Sequence, residues 1–185
     1  MSDSLQLALH AAATSNAALR GVAVACGTLL LFVQAAGFVA VALTHLQRVD
    51  WRVAARIVVS GAVAVLLTQV LLHTVHDPRP YLVEGYAPLA HVSADNGFPS
   101  DHTLVAALLA GWAAWLSRRS LPAFVAGVVV IALGRLAIGA HHTLDVLGSM
   151  GIAAVSLGVA AALPYPPAWT GRRVLPGRPA GHAAR

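Results

Sequence analysis

Three short segments gather the side chains able to do chemistry on an anion: Asp77-Pro78-Arg79-Pro80, Pro99-Ser100-Asp101-His102, and the stretch from Gly134-Arg135 through His141 to Asp145. Arg79 and Arg135 supply planar, permanently charged forks that match phosphate oxygens. Pro99 and Ser100 are placed to open a helix, whose free backbone N–H groups form an anion site. His102 falls in its first turn. His141 and Asp145 are four residues apart, within reach of each other if that stretch is helical. A carboxylate on one imidazole nitrogen fixes the tautomer and leaves the other nitrogen free as a nucleophile. Two arginines, a helix start, two histidines and a carboxylate make a phosphoryl-transfer site without a metal.

Simpler roles stay open residue by residue. Ser100 could be only a helix cap, and Arg79 or Arg135 could be paired with Asp77 or Asp95. His142 reads as interfacial. Adjacent residues point apart on a helix, and the His141-His142 pair has no third ligand at a suitable spacing, so neither metal nor haem is expected there. Cys26 and Trp112 read as packing residues, and Tyr81, Glu84 and Tyr86 as loop surface. Three such segments in order are harder to explain singly.

The elements that must position them are apolar. Of 185 residues, 58% are hydrophobic and 10% charged, and the mean hydropathy is +0.73. A soluble domain carries about 25% charged residues, so a soluble enzyme, a disordered chain and a nucleic-acid-binding module are excluded. All 12 basic residues are arginines, set singly or in pairs between apolar runs, as at the ends of membrane spans. The single cysteine excludes a disulfide framework. An all-α, polytopic membrane bundle is expected.

Since a membrane helix needs about 20 apolar residues, five spans are read: Gly21 to Thr44, Ile57 to His76, Ser100 to Ser117, Ser120 to Ala140, and Leu144 to Leu163. Leu5, Leu9 and Ala12 lie at helical spacing, which predicts an interfacial N-terminal helix within residues 1–20, and no cleavable signal peptide is expected. The membrane-embedded domain is residues 21–163. Residues 164–185, rich in proline and arginine, read as a disordered cytoplasmic tail. Nine of the twelve arginines fall on one side of a five-span topology, which the positive-inside rule makes cytoplasmic, and Trp51, Trp115 and Trp169 lie near that boundary. The three segments reach the opposite side. Five of the seven acidic residues and six of the nine histidines lie between His73 and Asp145, and ionisable residues at membrane depth are functional candidates by default.

These segments resemble the type 2 phosphatidic acid phosphatase superfamily, whose motifs are K-x6-R-P, P-S-G-H and S-R-x5-H-x3-D. Arg79-Pro80 matches the end of the first. Residues Pro99 to His102 match the second, with Asp101 in place of Gly; Arg135, His141 and Asp145 match the third, with Gly134 in place of Ser. Gly-Phe-Pro-Ser-Asp-His-Thr at 97–103 and the run Leu144 to Ser149 look like the bacitracin-resistance type of undecaprenyl-pyrophosphate phosphatase. Leu72 stands where the first-motif lysine belongs, and His73 or His76 is a candidate to supply the missing contact. Asp101 adds a carboxylate that should repel a dianion unless it pairs with an arginine or turns away.

The resemblance implies that His141 attacks phosphorus, that Asp145 orients it, and that Arg79, Ser100 and Arg135 hold the phosphate oxygens. His102 then protonates the leaving oxygen and activates water. It further implies a lipid phosphatase of the bacterial plasma membrane, with its site facing outward, no cofactor, and membrane lipids rather than nucleic acid as partners. Undecaprenyl pyrophosphate is the expected substrate. Phosphatidylglycerol phosphate, phosphatidic acid or a decaprenyl-linked sugar phosphate are the rivals, and a non-catalytic anion-docking membrane protein is the rival of another class. Oligomeric state is not readable.

Overall fold

The computed structural model describes residues 3–174, and among these the named elements are all helices. α1 (Ser4–Thr14) starts where Asp3 Oδ1 accepts the Gln6 N–H at 3.1 Å, and α2 (Ala17–Val24) where Asn16 accepts that of Leu19. Capping of this kind satisfies N–H groups that have no partner inside the helix. α2 continues through a π-turn at Ala25–Leu29 into α3 (Leu30–Thr44), forming one apolar rod. α4 (Trp51–Thr74) is capped by Asp50, and the short α5 (Pro80–Glu84) ends at Gly85, whose φ of +72° suits glycine. α6 (Asp101–Leu116), α7 (Leu121–Ala137) and α8 (Thr143–Ala162) complete the bundle.

Ala17–Thr44, Trp51–Thr74, Arg118–Ala137 and Thr143–Ala162 are long and apolar enough to cross a membrane. α6 has 16 residues, about 24 Å of helix at 1.5 Å per residue, and is shorter than a typical span. It is also the inner helix. Ala106, Leu109, Ala110 and Ala113 pack against Phe124, Val128 and Ile131 of α7, while Leu104 and Leu108 meet Ile152 and Ala153 of α8. The outer helices leave apolar side chains uncovered, with Phe32 at 68% and Val58 at 69% exposure. Faces like these suit lipid contact. The protein is a multi-pass all-α membrane bundle.

Two expectations need correction. α4 begins at Trp51 rather than Ile57, because Asp50 caps it and the Arg56 guanidinium reaches back to the Ala161 carbonyl and over the Trp115 and Tyr165 rings. A long arginine stem can lie along apolar surface while its head finds polar partners. The segment after Pro164, expected to be disordered, carries a 3-10 turn at Pro167–Trp169, and Gly171 donates to Asp50 Oδ2 at 2.9 Å. Trp51 N–H then donates to Arg172, and Val174 N–H to Val49. Residues 175–185 lie outside the described residues.

Candidate active site

α4 and α5 deliver Arg79, the start of α6 delivers Asp101 and His102, and the last turn of α7 delivers Arg135. The α7–α8 connection delivers His141. These five line one cavity of about 290 Å³, together with Thr28, His91, Val92, Ser93 and Asp95. The three segments therefore converge.

His141 is buried at 2% exposure, and its two nitrogens face different chemistry. Nδ1 lies 2.8 Å from the Gly97 carbonyl, whereas Nε2 lies 3.4 Å from Arg79 Nη1 and 3.3 Å from Arg135 Nη2. A carbonyl can only accept and a guanidinium can only donate. The proton is therefore assigned to Nδ1, and the Nε2 lone pair points between two cationic forks. Burial first, then the charges of Arg135 and Arg79, lower the His141 pKa to about 3. The imidazole is neutral at physiological pH.

Asp145 is fully buried behind His141. Its Oδ2 accepts the His142 N–H at 2.8 Å and stands 3.5 Å from His141 Nδ1. The nearer partner of Nδ1 is thus the Gly97 carbonyl. A Cβ at Gly97 would come within 3.3 Å of Asp145 Oδ2 and 3.0 Å of the Asp77 carbonyl oxygen, so the close approach suits glycine. The Asp77 carboxyl is raised to about 6, by burial first and then by its hydrogen bond to Asp145 and the charge there.

Both arginines are buried and their forks are held. Arg79 donates through Nη1 to the Ala140 carbonyl at 2.9 Å, and through Nε at 3.0 Å to Asp95 Oδ1, which Nη2 also contacts. That hydrogen bonding lowers the Asp95 pKa. Arg135 donates to the Gly27 carbonyl at 3.1 Å, inside the π-turn. This contact accounts for Gly134: a Cβ there would fall 2.5 Å from the Gly27 nitrogen, closer than any ordinary contact. No acidic side chain pairs with Arg135 among the described residues.

Other expected site residues sit elsewhere. Ser100 is fully buried as the N-cap of α6, and its hydroxyl meets Thr103 Oγ1 at 3.1 Å rather than lining the cavity. His73 and His76 are exposed and do not line it either. The histidine that lines it beside His102 and His141 is His91, in a loop without periodicity, where no sequence signal marked it. Among the described residues, no three His, Cys, Asp or Glu side chains converge as a metal site.

An all-α membrane bundle with a buried histidine between two arginines defines the class, and the chain belongs to the PAP2 superfamily, which matches residues 53–168. It is 28% identical over 99 residues to Undecaprenyl-diphosphatase BcrC of Bacillus subtilis (strain 168), covering 52% of this chain and 50% of that protein. It is 32% identical over 97 residues to "Putative undecaprenyl-diphosphatase YbjG" of Escherichia coli (strain K12), covering 51% and 48%. The match spans about half the length of these curated relatives. No solved structure matches the chain.

Proposed function

We propose that the protein hydrolyses undecaprenyl pyrophosphate to undecaprenyl phosphate and inorganic phosphate through a phosphohistidine, recycling a cell-wall lipid carrier. The observation that carries this reading is the His141 Nε2 lone pair, aimed into the cavity between Arg79 and Arg135. Nε2 forms a bond to the terminal phosphorus as the bond to the bridging oxygen breaks. The guanidinium forks hold the equatorial oxygens, where the transition state carries its charge. His102 donates its proton to the leaving oxygen, then takes one from the water that cleaves the phosphohistidine. Asp145 stabilises the imidazolium that develops. Names of the two relatives support the substrate.

The site is assigned to the outer face of a bacterial plasma membrane, on the arginine asymmetry. A cysteine at the exposed Gly85 should react with an impermeant reagent in intact cells, while one at Ser120 should not; the reverse pattern overturns this orientation. The deciding experiment is phosphate release in detergent, with EDTA present, from undecaprenyl pyrophosphate, phosphatidylglycerol phosphate and phosphatidic acid, with acid-labile phosphohistidine trapped in parallel. Preference for another lipid would replace the substrate. Release without His141, or none on any lipid, would remove the reading.

A further inference from the structure

α1 lies outside the residues matched to the superfamily, yet its polar face bonds the segments flanking His141. Asp3, Gln6 and His10 recur at about one-turn spacing, which places them on one side of the helix. Gln6 is fully buried and His10 nearly so.

Their partners are specific. α7 ends at Ala137, and the last carbonyls of a helix have no partner within it. Gln6 Nε2 donates to the Leu136 carbonyl at 3.2 Å, and His10 Nδ1 lies 2.9 Å from that of Ala137. At the other end of the connection, the Asp3 carboxylate accepts the Thr143 N–H, at the start of α8, and the Thr143 hydroxyl at 2.9 Å. Asp3 thereby serves the starts of two helices, α1 and α8, where a negative charge is favoured. Tyr86 closes the arrangement. Its hydroxyl accepts from Gln6 at 2.7 Å and its ring stacks on His10. That ring fills the space beside Gly139, whose φ is +80°. Four side chains therefore hold both ends of a connection that carries one reactive imidazole.

We propose that α1 is a positioning element of the reaction: Asp3, Gln6 and His10 hold the α7–α8 connection so that His141 Nε2 stays aimed between Arg79 and Arg135. This rests on the phosphohistidine reading above. It predicts that the geometry of the nucleophile depends on a helix contributed from outside the superfamily core. The bonds are polar and directional, so their loss should loosen the imidazole more than the two arginines: Arg79 shares the Ala140 carbonyl with the connection but keeps Asp95, and Arg135 keeps the Gly27 carbonyl.

The test uses the full-length protein carrying Asp3→Ala, Gln6→Leu, His10→Leu or His10→Asn. A misplacement of about 1 Å can cost about 100-fold in rate. Single-turnover phosphoenzyme formation on undecaprenyl pyrophosphate should fall about tenfold or more in the first three variants, with little change in KM. His10→Asn should recover most of the rate, because its amide N–H can donate to the Ala137 carbonyl. A second readout needs no turnover: modification of His141 by diethyl pyrocarbonate, read by mass spectrometry, should change in rate in the first three variants and return in His10→Asn. Where Asp3→Ala does not fold, the Gln6 and His10 variants decide. Folded variants with wild-type phosphoenzyme rate and wild-type His141 reactivity overturn the proposal. A wild-type protein that forms no phosphoenzyme fails the functional reading instead, and the diethyl pyrocarbonate arm still decides whether α1 positions His141.

Discussion

Replacing Asp145 by Asn separates two roles that a carboxylate beside a catalytic histidine can play. Where the carboxylate alone sets the tautomer, the amide can stabilise the wrong one, and the loss reaches about 10⁴-fold. Here the Gly97 carbonyl, at 2.8 Å, takes the Nδ1–H, and Asp145 Oδ2 stands at 3.5 Å. The amide therefore removes a charge and leaves the tautomer in place. At 3.5 Å and an effective dielectric of about 20, a full positive charge developing on the imidazole gains about 5 kcal/mol from that carboxylate. Only part of this develops at the transition state, and the His142 N–H already draws on the same oxygen. About 3–4 kcal/mol remains, which at about 1.4 kcal/mol per decade is a loss of roughly 10²- to 10³-fold. The assay is single-turnover phosphoenzyme formation on undecaprenyl pyrophosphate, with KM from steady state and folding from thermal melting. A loss near 10⁴-fold would mean that Asp145, not Gly97, governs the tautomer. A folded variant with more than a fifth of the wild-type rate would mean that the charge is not used.

Three further outcomes follow from the same geometry. Asp95→Ala frees the Arg79 fork while its bond to Ala140 persists; since solvent at the 65% exposed carboxylate screens the pair and surface pairs are worth about 0–1 kcal/mol, KM should fall up to about fivefold in steady-state kinetics, and a rise would show that Asp95 aims the fork. Asp77 is raised from 3.8 to about 6, so the native state holds a proton that the unfolded state has released. Stability is then lost as pH rises from about 4 to 6; Asp77→Asn should raise the melting temperature at pH 7.5 and leave it unchanged at pH 4, and equal effects at both pH values would refute the titration. Gly134→Ser restores the superfamily residue, but places a Cβ 2.5 Å from the Gly27 nitrogen; overpacking of this kind costs about 1–3 kcal/mol, so melting temperature and rate should fall together, and an unchanged variant would refute the contact.

Much of this was legible because charge is rare in the chain. Against long apolar runs, Arg79, Asp101, His102, Arg135, His141 and Asp145 stand out, and their order already places them on one face of a bundle. What was not legible depends on distant pairing. α1 was expected as an amphipathic helix with an apolar face of Leu5, Leu9 and Ala12, yet Leu5 is 48% exposed and the buried residues are Gln6, His10 and Ala13. Periodicity reports which residues share a face, but the backbone carbonyls that Gln6 and His10 meet lie more than 120 positions away in sequence. Tyr86, read as loop surface, is half-buried between α1 and Gly139 for the same reason. The Gly97 carbonyl is a backbone atom, and no side-chain pattern can announce it. The buried Ser100 shows the opposite case, a motif residue whose hydroxyl is spent on Thr103.

Two departures from the superfamily motifs, Leu72 and Asp101, bear on how the cavity is charged. No lysine reaches it, and its lining sets Arg79 and Arg135 against Asp95 and Asp101, with the imidazoles of His91, His102 and His141 beside them. A dianion entering this cavity meets no surplus of fixed positive charge, so release of a carboxylate from one of the arginines is the expected compensation. Asp95 is the group able to move: its carboxylate is 65% exposed, whereas the Arg79 side chain it holds is 9% exposed and anchored to Ala140. Swinging Asp95 into water exchanges one anion on the Arg79 fork for another and leaves the guanidinium where it is. Arg135 needs no such exchange, since its partner is the Gly27 carbonyl. The two arginines are thus held ready by different means, one by a displaceable carboxylate and one by the backbone of the first membrane helix. On that asymmetry, phosphate is expected to meet Arg135 first and to close onto Arg79 as Asp95 leaves. Asp95→Ala should then speed the closing step in pre-steady-state binding while Arg135→Ala abolishes capture; an unchanged binding rate in Asp95→Ala would refute this order.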